Sequence, residues 1–177
     1  MGGTSIRSNG RSRRGFSLIE LVIVVVIIGI IAAIAIPRMS RGSQGAAESA
    51  LGGNLAVLRN AIDLYHTEHQ AYPAATAPAI TAADFDRQLT KNTDANGAGT
   101  ATQQKDATHP YGPYLRKLPV MPVGTKKGLS TVFVAVLGTE APGATPEAWI
   151  YYPQTGEIKA NLANTELDSK GDPYNTY

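Results

Sequence analysis

The chain has 177 residues, with 16 basic and 14 acidic side chains, no cysteine and a formal net charge of +2. This length predicts one domain, with room for an extension, and the absence of cysteine excludes a fold stabilised by disulfides. All four basic residues before position 16 are arginines, so the rest of the chain carries 12 minus 14, or −2. The net positive charge of the chain is therefore no evidence that residues 16–177 bind nucleic acid.

An apolar run follows the arginines. Residues 1–12 show no apolar pattern and are predicted to be disordered, whereas the 21 residues from Phe16 to Ile36 include only two strongly polar side chains, Ser17 and Glu20. At a rise of ~1.5 Å per residue, a helix of this length spans about 31 Å, close to the hydrocarbon thickness of a bilayer. The run predicts a transmembrane helix over residues 16–37.

Glu20 is an acid inside this run, and a charge deep in a bilayer costs at least about 2.5 kcal/mol unless it is paired. No Lys, Arg or His lies between Phe16 and Pro37, so a partner must come from elsewhere. Cleavage after Gly15 would create one, because a free α-amino group has a pKa near 8 and is largely cationic at neutral pH. That amine would lie about one helical turn from Glu20 of its own chain, or beside Glu20 of a shifted copy.

The sequence GFSLIELV after basic residues resembles the cleavage site of type IV prepilins and type II secretion pseudopilins. The resemblance implies that residues 1–15 are a leader, that a prepilin peptidase cuts between Gly15 and Phe16, and that the same enzyme methylates the new N-terminus of Phe16. It also implies that Glu20 sets the register of assembly and that Pro37 kinks the helix.

The same resemblance implies a location and partners. The arginines favour a cytoplasmic N-terminus in a single-pass protein of the bacterial inner membrane. The mature domain would then be periplasmic, or extracellular within a filament. The expected partners are the prepilin peptidase, copies of this chain and related pilins, the inner-membrane assembly platform and the membrane itself, without nucleic acid.

Two other export signals compete with this interpretation. An ordinary secretory signal could be cleaved after Ala35, although its apolar region typically has only ~7–15 residues. Residues 12–16, SRRGF, also fit a twin-arginine signal. The Ile/Val-rich run and Glu20 argue against this second alternative.

From Ala46 to Tyr65 the apolar residues become periodic, which predicts the amphipathic half, residues 38–69, of one long helix. The predicted buried face consists of Ala47, Leu51, Leu55, Leu58, Ile62 and Tyr65. Four glycines between residues 42 and 53 predict a flexible or partly melted segment from Pro37 to Gly53. The helix is expected to end near Glu68. His66, Glu68 and His69 fit a polar last turn better than a metal site.

Residues 70–177 are predicted to form loops and a small sheet. Residues 74–83 indicate a loop, residues 83–89 a short helix capped by Thr81, and residues 92–108 an exposed, mobile loop with a turn at Asp94–Gly97. The segment HPYGPYLRKLPVMP, from His109 to Pro122, resembles a segment of major pseudopilins and is expected to cross the helix in extended form. Met121 departs from the Asp or Asn that the family often has there.

Three strands are predicted at residues 131–137, 148–152 and 157–161, the last after a turn at Pro153–Gly156. Alternation places Trp149 and Tyr151 on one face and Ile150 and Tyr152 on the other. Trp149 fits a core residue better than a ligand platform. The predicted fold class is α+β and pilin-like, with a long N-terminal helix packed on a small antiparallel sheet.

The tail, residues 162–177, carries three acids, Glu166, Asp168 and Asp172. Major pseudopilins bind calcium in a C-terminal loop, so the resemblance makes Asp168 and Asp172 calcium candidates. The alternative is a solvated acidic tail, because calcium usually takes six to eight oxygen ligands and the spacing here fixes only two. No other cofactor is expected.

The sequence offers no catalytic residues, because no nucleophile motif, phosphate loop or metal cluster accompanies the three histidines. The expected function is therefore a structural subunit of a type IV pilus-like filament or a type II secretion pseudopilus. Two alternatives stay open: a minor or tip subunit for adhesion or DNA uptake, and a monomeric anchored or exported domain.

Overall fold

The computed structural model describes residues 15–75, 81–100, 103–136, 138 and 140–177, and it describes residues 36–41 by their backbone alone. The predicted disorder of residues 1–12, the centre of the predicted 74–83 loop and Leu137 of the first predicted strand lie outside these residues. The chain divides into two compact units, with the boundary between Arg41 and Gly42. Residues 42–69 and residues 70–177 therefore belong to the same unit.

A helix of 52 residues, α1 (Leu18–His69), includes both predicted halves. In its second half the predicted face is confirmed: Leu51, Leu55, Leu58, Ile62 and Tyr65 are each at most 2% exposed. Their spacing of four and three residues returns them to one side of the helix, where they form the main core of the second unit. The helix ends where expected, as Gln70 adopts a positive φ of 55°.

The helix is continuous between Pro37 and Gly53, so the predicted partly melted segment is wrong for the single chain. Side chains compensate for the weak helix preference of glycine there. The Gln44 amide donates to Glu48 Oε1 one turn later, and the Ser49 hydroxyl donates to the carbonyl oxygen of Gly45. Burial of Leu51 anchors the following turn.

The sheet has three strands in the order β1 (Val132–Val134), β2 (Trp149–Tyr152) and β3 (Glu157–Ala160). Strand β2 is antiparallel to β3, as predicted, but β1 is parallel to β2, so the sheet is mixed and the prediction of an antiparallel sheet is wrong. Parallel neighbours need a long crossover, and residues 135–148 provide it.

The two faces of β2 are as predicted. Trp149 and Tyr151 belong to the main core, whereas Ile150 and Tyr152 pack in a second cluster with Ala135. Trp149 is completely buried, and its indole Nε1 donates to the carbonyl oxygen of Pro119 at 3.0 Å. Trp149 is therefore a core residue and no ligand platform.

The short helix α2 (Ala82–Thr90) confirms the prediction for residues 83–89. Thr81 caps it, because its hydroxyl oxygen accepts a hydrogen bond from the Asp84 amide at 3.1 Å. Phe85 lies against the ring of Tyr151, with 4.4 Å between ring centroids. This contact attaches α2 to the sheet.

Within the predicted exposed loop at residues 92–108, Ala95, Asn96, Ala98 and residues 103–108 are exposed, whereas its first two residues are not. Asn92 and Thr93 are completely buried. Thr93 and Tyr111 exchange backbone hydrogen bonds, and the Asn92 amide donates to the carbonyl oxygens of Tyr111 and Gly112. These long-range hydrogen bonds explain why Asn92 and Thr93 are buried rather than exposed. The predicted turn at Asp94–Gly97 is confirmed.

In the segment from His109 to Pro122, Tyr114, Leu115 and Leu118 pack against the main core, as expected, whereas its extended crossing of the helix stays a prediction. The Tyr111 ring lies 4.9 Å from the ring of His69 at the end of α1. Met121 is completely buried, so the position where the sequence departs from the pseudopilin pattern is a core position here.

A matched pair of glycine substitutions tests the packing of the β2–β3 turn. Gly156 and Gly128 both have positive φ, but a Cβ at Gly156 would collide with the Tyr72 ring, whereas at Gly128 it would meet open space. Because only the collision differs, Gly156→Ala should lower the free energy of unfolding by about 1–3 kcal/mol more than Gly128→Ala. Denaturant titration of the full chain in detergent, followed by Trp149 fluorescence, measures this difference. Equal destabilisation by both variants would contradict the packing described here.

Candidate functional site

The predicted processing site lies at the start of α1. Gly15, Phe16 and Ser17 precede the helix in non-helical backbone, and the Phe16 side chain is 80% exposed. A peptide bond between Gly15 and Phe16 is therefore outside regular secondary structure. The two predicted cleavage residues and Glu20 are close together in one exposed segment.

Glu20 lies in the first turn of α1, and its side chain is exposed. A carboxylate is favourable there, because the helix dipole places partial positive charge at the N-terminus. Among the residues that the structure describes, no ion pair includes Glu20. Within the residues that the structure describes, this carboxylate is therefore available to a cation.

The spacing of Glu20 also matches a helix-initiation motif that the sequence analysis did not consider. Ser17 directly precedes the helix, and Glu20 follows it at the S-x-x-E spacing of a capping box, in which the acid binds the amide of the capping residue. Helix initiation is thus a structural reason for an acid at this position. Any test of Glu20 must separate its charge from its capping role.

The apolar segment Leu18–Ala35 is long and apolar enough to cross a membrane, with a mean hydropathy of 3.2, and none of its residues is buried. Large aliphatic side chains are exposed on every side of it. Water does not favour such a surface, so the segment requires lipid or other protein around it. Helical backbone continues through Pro37, and the kink expected there stays a prediction.

The two histidines at the end of α1 have separate packing roles. His66 stacks on Tyr72, whereas His69 stacks on Tyr65 with 4.0 Å between centroids. Nδ1 of His69 faces the Tyr65 carbonyl oxygen at 3.1 Å, and Nε2 faces the Thr93 hydroxyl at 2.9 Å. Within the described part of the chain, no group of three or more metal-ligating side chains occurs.

Asp168 in the tail is a buried acceptor rather than part of a solvated tail. It is 8% exposed, and its Oδ1 accepts hydrogen bonds from the amides of Lys170 and Asp172. Its Oδ2 accepts from the Tyr177 hydroxyl at 2.6 Å. These bonds, that of Tyr177 first, hold the pKa of Asp168 below its ordinary value, and the same contact raises the pKa of Tyr177 to about 12.

This arrangement does not fit a calcium site. Both oxygens of Asp168 already accept hydrogen bonds, and Asp172 is exposed. A calcium ion would need several more oxygen ligands than two carboxylates provide. Calcium binding by Asp168 and Asp172 stays a prediction that this geometry does not support.

Two residues of α1 hold the tail, and the sequence analysis assigned neither of them this role. Glu48 accepts hydrogen bonds from the Ser169 amide at 2.8 Å and the Ser169 hydroxyl at 2.7 Å, which hold the pKa of Glu48 below its ordinary value. The Arg59 guanidinium donates to the carbonyl oxygens of Tyr177 and Ile158. We call Glu48, Arg59, Asp168, Ser169 and Tyr177 the tail clasp. Helical periodicity places Glu48 and Arg59 off the apolar face but cannot identify partners over 100 residues away.

Comparison with protein families identifies the N-terminal segment. The family described as the prokaryotic N-terminal methylation motif matches residues 10–36, which include Gly15, Phe16 and Glu20. The rest of the chain is outside that match. No curated protein and no solved structure matches this chain.

The stability of the tail clasp should decrease as the pH is lowered. Because hydrogen bonds lower the pKa of Glu48 and Asp168 in the folded chain, both carboxylates stabilise the clasp at neutral pH, and this stabilisation is lost as the pH falls through the lowered values. The amide NMR signals of Ser169 and Asp172 should titrate with midpoints below the ordinary pKa values of Glu and Asp. Midpoints at or above the ordinary values would contradict the clasp.

Removing one carboxylate charge gives an independent test. Asp168→Asn should lower the denaturation midpoint near neutral pH, and its difference from wild type should shrink as the pH falls and Asp168 becomes protonated. Asp63→Asn, at an exposed carboxylate of α1 outside the clasp, is the matched control and should change the midpoint little. An equal effect of both substitutions would show that the clasp does not stabilise the fold.

Proposed function

We propose that this chain, whose N-terminal segment carries the prepilin signal of type IV pilins and pseudopilins, is a structural subunit of a filament. The filament is either a type IV pilus-like fibre or a type II secretion pseudopilus. The observation that carries the proposal is an acid, Glu20, in the first turn of a helix that is otherwise apolar over residues 18–35, with no ion pair to this acid among the described residues.

Processing creates the cation that this acid lacks. A cut between Gly15 and Phe16 removes the arginine-rich residues 1–15 and leaves an α-amine on Phe16, in exposed non-helical backbone. Methylation of that amine keeps its positive charge. In apolar surroundings an unpaired carboxylate is strongly unfavourable, so an incoming amine at Glu20 stabilises one register of the helices over the others.

The two units have separate roles in the proposed filament. The exposed apolar surface of residues 18–35 contacts lipid before assembly and other copies of the same helix after it. The second unit has its own core of α1, α2 and the sheet, and it lies on the outside of the filament. Before assembly, the chain spans the inner membrane with its arginine-rich end in the cytoplasm and its second unit outside.

The partners follow from these steps. A prepilin peptidase cuts and methylates the chain, an inner-membrane assembly platform extracts it from the membrane, and copies of itself or related pilins receive it. This role is structural and includes no enzymatic step. A tip subunit or a monomeric anchored domain would not need Glu20 to meet an amine from another copy. Removing the charge of Glu20 therefore distinguishes a filament subunit from these two alternatives.

The mature N-terminus should begin at Phe16 and carry one added methyl group. Mass spectrometry of the protein from membranes of a host with a prepilin peptidase measures both features. Gly15→Val should leave residues 1–15 attached, because the peptidase no longer accepts the site. A mature chain that begins after Ala35 would instead support an ordinary secretory signal and contradict the proposal.

The charge of Glu20 should be required for assembly. Glu20→Gln removes the charge but keeps the S-x-x-Q form of the capping box, so it separates pairing from helix initiation. We expect normal amounts of processed protein in the membrane and a loss of sheared filaments of tenfold or more, about the effect of losing one buried charged partner. Asp63→Asn, at an exposed acid of α1 in the second unit, is the control. Normal filament yield with Glu20→Gln would refute the pairing.

A further inference from the structure

The second unit begins with a part of α1 that has few apolar contacts. Its boundary lies between Arg41 and Gly42, and no side chain of residues 42–50 is fully buried. Ala47 packs against the main core but is only partly buried, and full burial begins at Leu51. Because most of the stability of a helix in a protein comes from packing, these first turns are weakly stabilised by the core.

Glycines weaken the same turns further. Glycine is the poorest helix former after proline, because its backbone loses the most freedom on folding. A Cβ added at any of these glycines would meet open space, so packing among the described residues does not require glycine at these positions. The glycines are Gly42, Gly45, Gly52 and Gly53.

Glu48 connects these turns to the tail. Its Oε1 accepts a hydrogen bond from the Ser169 amide at 2.8 Å, and its Oε2 accepts one from the Ser169 hydroxyl at 2.7 Å. Oε1 also accepts from the Gln44 amide one turn earlier and lies 3.4 Å from the Tyr174 hydroxyl. Hydrogen bonds to a carboxylate are stronger than those between neutral groups. Polar contact with a distant segment thus supplements the sparse apolar packing of this part of α1.

We propose that the contact between Glu48 and Ser169 keeps residues 42–50 helical. When the contact is broken, these turns open locally, whereas the core that begins at Leu51 stays folded. Local opening of this kind is typical of segments with few buried apolar contacts and an exposed backbone. The contact acts within one chain and does not depend on assembly.

The consequence of opening is a change in the connection between the two units, because α1 joins them. The nine residues 42–50 span about 14 Å as a helix and up to about 30 Å as an extended chain. The contact therefore sets the length and stiffness of this connection from a point in the tail.

Hydrogen exchange of the full chain in detergent tests the proposal, with mass spectrometry of peptides that cover residues 42–50. Glu48→Ala should raise the exchange rate of these amides about tenfold or more, because it removes charge-assisted hydrogen bonds. Alanine is a better helix former than glutamate, so intrinsic helix preference would change the rate in the opposite direction. Ser169→Ala leaves the sequence of α1 unchanged and should raise the rate to a smaller extent, because the Ser169 amide remains.

Two further variants serve as controls. Asp63→Ala, at an exposed acid of α1 outside the contact, should leave the exchange of residues 42–50 unchanged. Gly45→Ala, added to Glu48→Ala, should restore slow exchange, because it strengthens the helix and its Cβ meets open space. Trp149 fluorescence reports whether the second unit is folded in each variant.

Unchanged exchange in both Glu48→Ala and Ser169→Ala would overturn the proposal. Faster exchange that extends equally to β2 would also overturn it, because the contact would then hold the whole second unit rather than the beginning of its helix. The measurement needs no filament, so its failure would leave the proposed filament role untouched.

Discussion

One carboxylate in an apolar helix is the constraint on which the proposed function depends. Glu20 follows the non-helical residues Gly15–Ser17 by one turn and precedes an apolar span with no basic residue. In water the charge of Glu20 costs little free energy, and at the start of a helix it is mildly stabilising. In lipid or among packed helices the same charge requires a cation. In the proposed function, cleavage between Gly15 and Phe16, inside the matched segment of residues 10–36, would leave an amine that supplies it. That pairing would give the apolar helix a specific register.

The second unit is stabilised by contacts distant in sequence rather than by disulfides. The leucine face of α1, together with Trp149 and Tyr151, forms the main core. The tail clasp then attaches the C-terminal segment to the exposed side of α1, through Glu48 and Arg59. Such polar contacts are individually modest in energy, but they fix the direction of a segment with little regular structure. A chain without cysteine thus keeps its tail in place through hydrogen bonds.

Sequence patterns predicted the features that depend on local periodicity. The buried face of α1, the Thr81 cap and the two faces of β2 follow from spacing alone. Features that depend on distant partners were missed. The parallel pairing of β1 with β2 depends on the crossover of residues 135–148, and the burial of Asn92 depends on carbonyl oxygens about 20 residues away. At the candidate site, Gly15, Phe16 and Glu20 were recognisable because their signal is contiguous, whereas Glu48 meets a partner 121 residues away.

The most direct measurement of the central claim is a distance between two labelled subunits in the assembled filament. Subunits carrying a ¹⁵N label at the Phe16 amine are mixed with subunits carrying a ¹³C label at the Glu20 carboxylate, and solid-state NMR measures the dipolar coupling between them. An ion pair between copies predicts a nitrogen-to-carbon separation of about 4 Å. A filament in which no intersubunit coupling is detected would contradict the account.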